Sequence, residues 1–516
     1  MVGQGQTHWV MLGALVVAAA LLYPFTQALY LPLTDLPNHI ARHTIMAADE
    51  GSALLRFWTA SFVLVPNSAV DLLWQAIGGT DAVRFSHRVM AVSVLNLFVS
   101  CVVLARVIHG RFTPWSLAGG LVVFSATFLF GFQNYSFSLP FAIHAFALYL
   151  VMEQRGLGLR VAIFAAITPV LFLMHFFAFA VLGALVFGRE LQRLIEARDR
   201  ASLFAGAAMG VPFVLPVLWL AADMATGPEN PAGTFTEFGS LATRIARFAE
   251  PIHAFALHPA DPINQLGKII VFGLYGLFAT VLLPVRWGLR LSPAMRGPVI
   301  ALLVVSVLSP TWLAGVAYID IRFPFVFILL MIAATDWRSS APRVGATFLV
   351  LTLALVVARS GQMAQYFSLH DAEIRELTAL MDDTLEPEDR VLPVRAPGQF
   401  LGQRLWHAQG YATARNEAFI PTLFQGVHAV QLRTEYAASA TPLMSGNPAC
   451  AVFDAAPLER DALGEWCHVE DYLEGWETKF DKVVSMDPLD PAILAGAPVR
   501  LLGQNGRFEI YEVTAN

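Results

Sequence analysis

Apolar runs of roughly 15–25 residues, the length that crosses a bilayer as a helix, recur along most of the chain. They fall at Trp9–Ala28, Arg88–Val107, Trp115–Phe132, Phe137–Met152, Val161–Met174, Phe176–Phe187, Ser202–Ala222, Ile269–Pro284, Val299–Leu313, Phe323–Ala334 and Val344–Ala358. Two regions break the pattern. One is the long first loop, at about 29–87. The other begins near Ser360, where His370–Leu385 reads as an amphipathic helix and Arg390–Val394, Lys482–Met486 and Phe508–Val513 read as short strands. The pattern predicts an all-α membrane bundle of about 11 transmembrane helices over residues 1–359, followed by a small α/β domain over 360–516.

Composition sharpens this division. Charged residues make up only 14% of the 516 positions, against about 25% in soluble domains, and mean hydropathy is +0.58. From Ser360 onward there are 23 acidic and 11 basic residues, a net −12, against +6 for the rest, so the two regions face different solvents. No dense basic stripe exists for a nucleic-acid partner. Arginines cluster after every second apolar run: Arg106 and Arg111; Arg155 and Arg160; Arg189, Arg193, Arg198 and Arg200; Arg286, Arg290 and Arg296; Arg338 and Arg343. The positive-inside rule makes that face cytoplasmic. It predicts a multi-pass protein of the cytoplasmic (inner) membrane, with the N-terminus inside and the C-terminal domain outside the cytoplasm. Arginines flank Val161–Phe187 on both sides, which calls for two short spans meeting near His175, with one tilted helix as the alternative. The first run has no Lys or Arg before it and no small-x-small site after it, so it reads as an uncleaved span. Cys450 and Cys467 both fall in the acidic region, where export would allow a disulfide.

The opposite face gathers the polar residues: Thr34–His43, Gln133–Tyr135, His175, the loop with Glu250, His253, His258 and Asp261, and Tyr318–Arg322. Polar groups beside a bilayer are costly, so their convergence marks a site. Asp35 stands just after the first span, where it caps a helix or serves as a base. His39, Arg42 and His43 share one face of that helix by three-and-four spacing, a solvated face or an anion site. A carboxylate among cations keeps its charge and can take a proton from a hydroxyl. Arg322 has the fork that suits a phosphate, unless it pairs with Asp320. Asn134, Tyr135 and His175 are pocket candidates, with helix and turn capping as the structural alternative.

A long first loop with an acidic residue just after the first span, paired short spans, polar turns on one face and a trailing soluble domain together resemble the GT-C superfamily of membrane glycosyltransferases. Asp35-x-Pro37-x-His39-x-x-Arg42, Gly131-Phe132-Gln133-Asn134-Tyr135 and the His175 turn look like an uncharacterised bacterial branch of it. The resemblance implies that Asp35 is the catalytic base and that the donor is a polyprenyl-phosphate-linked sugar. The expected acceptor is an extracytoplasmic glycan, lipid or protein. On this reading His39, Arg42, His43 and Arg322 hold the donor phosphate, and Asn134, Tyr135, His175 and Asp320 line the pocket. Asp35 has no acidic neighbour like the Asp-Glu pair of protein mannosyltransferases, so a divalent cation, Mg or Mn, is left open. Rival readings are a transporter or lipid flippase, which lacks support from any internal repeat, and a non-catalytic envelope assembly protein. His39 and His43 have zinc-site spacing without the Glu of a metalloprotease.

Overall fold

The computed structural model describes residues 4–61, 63–226, 236–254, 261–283, 288–313, 316–338, 342–396, 405–424, 430–441, 447–453 and 471–514. His258 and Cys467 lie outside them. Each of the eleven apolar runs holds helical structure, and among the described residues six helices are long and apolar enough to cross a membrane: Thr7–Thr26, Ala82–His109, Gln133–Met152, Leu157–Met174, Arg200–Trp219 and Ala346–Thr384. The chain is a multi-pass membrane protein, with fewer full-length spans among the described residues than the apolar pattern predicts.

The shortfall has local causes. The third run is a 3-10 helix, Pro114–Leu121, then a short turn of α-helix, Ala126–Leu129, restarted by the Ser125 hydroxyl accepting from the Phe128 N–H. Gly119 and Gly120 sit where neighbouring helices close in: a Cβ on Gly120 would lie 2.7 Å from Val17, and one on Gly119 2.9 Å from the Cys101 sulfur. The helices Arg296–Leu308 and Pro324–Ala334 have 13 and 11 residues, short of the ~20 that span hydrocarbon.

Val161–Phe187 is two helices, Leu157–Met174 and Phe176–Ala197, folded back at His175. Arg160, at the start of the first, donates to Glu190, far along the second, at 2.6 Å. Inside Arg200–Thr226, Pro216 supplies no N–H for the Pro212 carbonyl, and the Thr168 hydroxyl takes that oxygen at 2.6 Å.

The C-terminal region carries a five-stranded mixed sheet in the order Val499–Asn505, Phe508–Val513, Lys482–Ser485, Val391–Arg395, Asn447–Pro448. The amphipathic segment 370–385 is the end of one continuous helix, Pro342–Thr384, of 43 residues that runs through position 360. The first loop joins the C-terminal region. Its strand Trp58–Ala60 pairs antiparallel with Val430–Leu432. Glu417 accepts from the Ser52 hydroxyl at 2.9 Å and the Ala53 N–H at 2.7 Å. The loop helix Leu36–Met46 is therefore buried along most of its length, not a solvated surface helix.

Candidate active site

Asp35 is pinned through its backbone. Its N–H donates to the Phe130 carbonyl at 2.8 Å, and the Thr34 N–H to that of Leu129 at 3.3 Å. Gly131 makes this approach possible: its φ is +76°, and a Cβ there would lie 3.0 and 3.1 Å from the Leu36 and Asp35 nitrogens. Asp35 occupies the N-cap position of Leu36–Met46, yet its side chain makes no capping bond. The carboxylate is 17% exposed instead, with His407 Nε2 of the C-terminal region 3.5 Å from Oδ1.

Arg322 is the buried cation near it. Its guanidinium lies 4.2 Å from the Phe132 ring centre, 4.8 Å from that of Phe177 and 5.5 Å from that of Tyr135. The Tyr135 hydroxyl donates to the Arg322 carbonyl at 2.9 Å, and Arg322 Nη2 donates to the Ala317 carbonyl at 3.3 Å. Burial pushes the guanidinium's pKa down to about 10, opposed by Tyr135, Asp35 and Asp320, so it stays charged at neutral pH. Asp320 does not pair with it. That carboxylate takes Arg247 Nε at 2.9 Å and the Thr311 hydroxyl at 3.2 Å, leaving Oδ1 without a partner. Among the described residues Arg322 has no ion pair.

The other polar turns reach the same end of the bundle. Asn134 Oδ1 accepts from the Val70 N–H at 2.8 Å while its Nδ2 has no partner, and neither amide atom of buried Gln133 is paired. His175 Nδ1 accepts from the Phe177 N–H at 3.1 Å, capping the second hairpin helix, with its ring 5.1 Å from Tyr135. The third polar loop is occupied locally: Glu250 pairs with Arg247 at 3.6 Å, and Asp261 caps the helix at the Ile263 N–H, 2.9 Å.

The basic residues of the loop helix divide. Arg42 Nη2 donates to both Asp71 oxygens, at 2.8 and 3.1 Å, and His43 Nε2 lies 3.1 Å from Oδ1. Burial alone would raise the Asp71 pKa, but the Arg42 charge and the His43 bond hold it below the usual carboxylate range. His39 instead meets Phe424, 5.7 Å between rings, and His407 meets the same ring at 5.2 Å. Burial, with the charge of Arg42 next, keeps His39 well below its ordinary pKa and so neutral. Among the described residues His39 Nδ1, His407 Nδ1, Gln409 Oε1 and both amide atoms of Asn38 are buried without hydrogen-bond partners. Asp71, His407 and Phe424 escape sequence reasoning because only tertiary packing brings them here. Among the described residues no three His, Cys, Asp or Glu side chains gather as a metal site.

No protein-family model and no curated protein matches the sequence. Solved structures do. ArnT from Cupriavidus metallidurans aligns over 98% of this chain and 98% of its own, with TM-score 0.51 and 14% identity. The arabinofuranosyltransferase AftD from Mycobacteria aligns over 99% of this chain and 42% of its own, with TM-score 0.46 and 15% identity. The chain therefore has the fold of ArnT.

Proposed function

We propose that this protein moves a sugar from a polyprenyl-phosphate donor to an acceptor outside the cytoplasm. The observation that carries the reading is a pair: an uncapped, partly open carboxylate, Asp35, within electrostatic range of Arg322, a buried arginine without an ion pair among the described residues. Both stand at one end of an apolar bundle with the fold of ArnT, a glycosyltransferase. The arginine distribution supports assigning that end to the non-cytoplasmic side.

The chemistry is a single displacement. Asp35 takes the proton as the acceptor O–H bond breaks. The acceptor oxygen attacks the anomeric carbon opposite the phosphate, and the bond from that carbon to the phosphate oxygen breaks with inversion. The phosphate leaves with the electron pair, and Arg322 meets the charge that develops there. Its aromatic surroundings exclude water, which strengthens that interaction. Phe132 and Tyr135 hold the guanidinium in place. His39 adds a neutral ring on the same side, whereas Arg42 and His43, bound to Asp71, hold the loop helix rather than the donor. Gln133 and Asn134 offer amide groups to sugar hydroxyls.

Mass spectrometry of lipid-linked sugars and envelope glycans tests this in three strains: one lacking the gene, one complemented with the native sequence and one with Asp35→Asn at matched protein level. Asp35→Asn is expected to lower transfer by about 100-fold or more, so that it matches the deletion. Native glycans in the Asp35→Asn strain would remove the mechanism and bring a transport or assembly role forward.

A further inference from the structure

We propose that His407, carried by the C-terminal domain, positions Asp35 for its reaction, so that the catalytic site is completed by a residue far along the chain. The inference rests on the transferase reading above. Asp35 has a fixed backbone but no capping bond on its side chain, so nothing within its own helix selects which oxygen faces the acceptor. His407 Nε2 supplies that selection at 3.5 Å from Oδ1, with its imidazole 4% exposed. In the Nε2–H tautomer it holds one carboxylate oxygen and leaves the other for the acceptor hydroxyl. The contact is longer than a hydrogen bond, and contacts of this kind tighten when substrate binds.

The imidazole is itself constrained. Phe424 packs against it edge-on, at 5.2 Å and 65°, and also meets His39. The His407 carbonyl accepts from the Gly410 N–H at 2.9 Å. Gly410 lies so close on the loop helix that a Cβ would stand 2.9 Å from the Pro37 carbonyl oxygen and 3.3 Å from the Asn38 nitrogen. The turn bearing His407 is thus fitted onto the first turn after Asp35. Among the described residues Asp35, Phe424 and His39 face the imidazole, and its Nδ1 has no hydrogen-bond partner.

The test complements the deletion strain with His407→Gln, His407→Asn, His407→Phe and Asp35→Asn, reads product glycans by mass spectrometry, and melts each purified protein in detergent. Glutamine places an N–H where Nε2 stood, asparagine only near Nδ1, and phenylalanine fills the space without a donor. Expected are near-native transfer for His407→Gln and a loss of about tenfold or more for His407→Asn and His407→Phe, at unchanged melting temperature. Should His407→Phe melt early, the Gln and Asn variants decide. Equal transfer by these two, or native transfer by a stable His407→Phe, overturns the proposal. If Asp35→Asn is inactive while His407→Phe is native, this inference fails alone. If Asp35→Asn is active, the transferase reading fails with it.

Discussion

Asp71 lies in the first loop with no exposed surface, and it binds Arg42 and His43 together. Removing one partner of a buried pair leaves the other charge uncompensated. Asp71→Leu is therefore expected to destabilise the protein by about 3–5 kcal/mol, read as a lower melting temperature in detergent, while Asp35→Asn melts like native. The two aspartates show what a sequence can disclose about single residues. Asp35 announces itself by following the first apolar run directly. Asp71 sits in Ala69–Ile77, an amphipathic segment where an acidic residue is unremarked, and its meaning comes from an arginine and a histidine 29 and 28 positions earlier. His407 is further still from its neighbour, and no local pattern encodes that meeting.

At the scale of elements, the turn around Gly131 joins the first loop to the helix Gln133–Met152. An alanine there would be held in the left-handed region, at about 1–2 kcal/mol, with its Cβ crowding the backbone that fixes Asp35. Gly131→Ala is expected to cut glycan transfer by about tenfold or more with the fold retained, which product glycans and a limited trypsin digest will show together. A native digest pattern with native transfer would mean that Asp35 does not depend on this turn. The sequence carries the run Gly131–Tyr135 but not its division of labour, in which Gly131 leaves room for the Asp35 backbone while Phe132 and Tyr135 surround Arg322. The hairpin at His175 is legible because arginines flank both ends of Val161–Phe187. The 3-10 segment Pro114–Leu121 is not, because hydropathy is blind to helix type and to the packing that excludes side chains at Gly119 and Gly120.

The whole molecule is tied across its length by the strand pairing of Trp58–Ala60 with Val430–Leu432, in which Thr59 faces Gln431. Cysteines at both positions, Thr59→Cys with Gln431→Cys, are expected to cross-link under mild oxidation, read as a mobility shift on a non-reducing gel that neither single variant gives. Absence of the shift would count against the joined arrangement. This pairing, like the partnership of Asp371 with the Leu29 and Tyr30 N–H groups at 2.8 and 2.7 Å, crosses more than 300 positions and leaves no mark on hydropathy. Membrane class and the C-terminal strands 391–395, 482–485 and 508–513 do leave such marks, as period and β-branched composition. The 43-residue helix Pro342–Thr384, about 65 Å long, sets a further condition. It is gripped at two heights: Arg359 donates to the Ile263 and Ile252 carbonyls, and Asp371 takes the first-loop N–H groups. Between those grips the helix works as a toothed shaft. One added residue would turn everything above it by about 100°, and seven would nearly restore the bearing but lift it by about 10 Å. No insertion preserves both angle and height, so the number of residues from Arg359 to Asp371 is as strictly set as the identity of any side chain at the site.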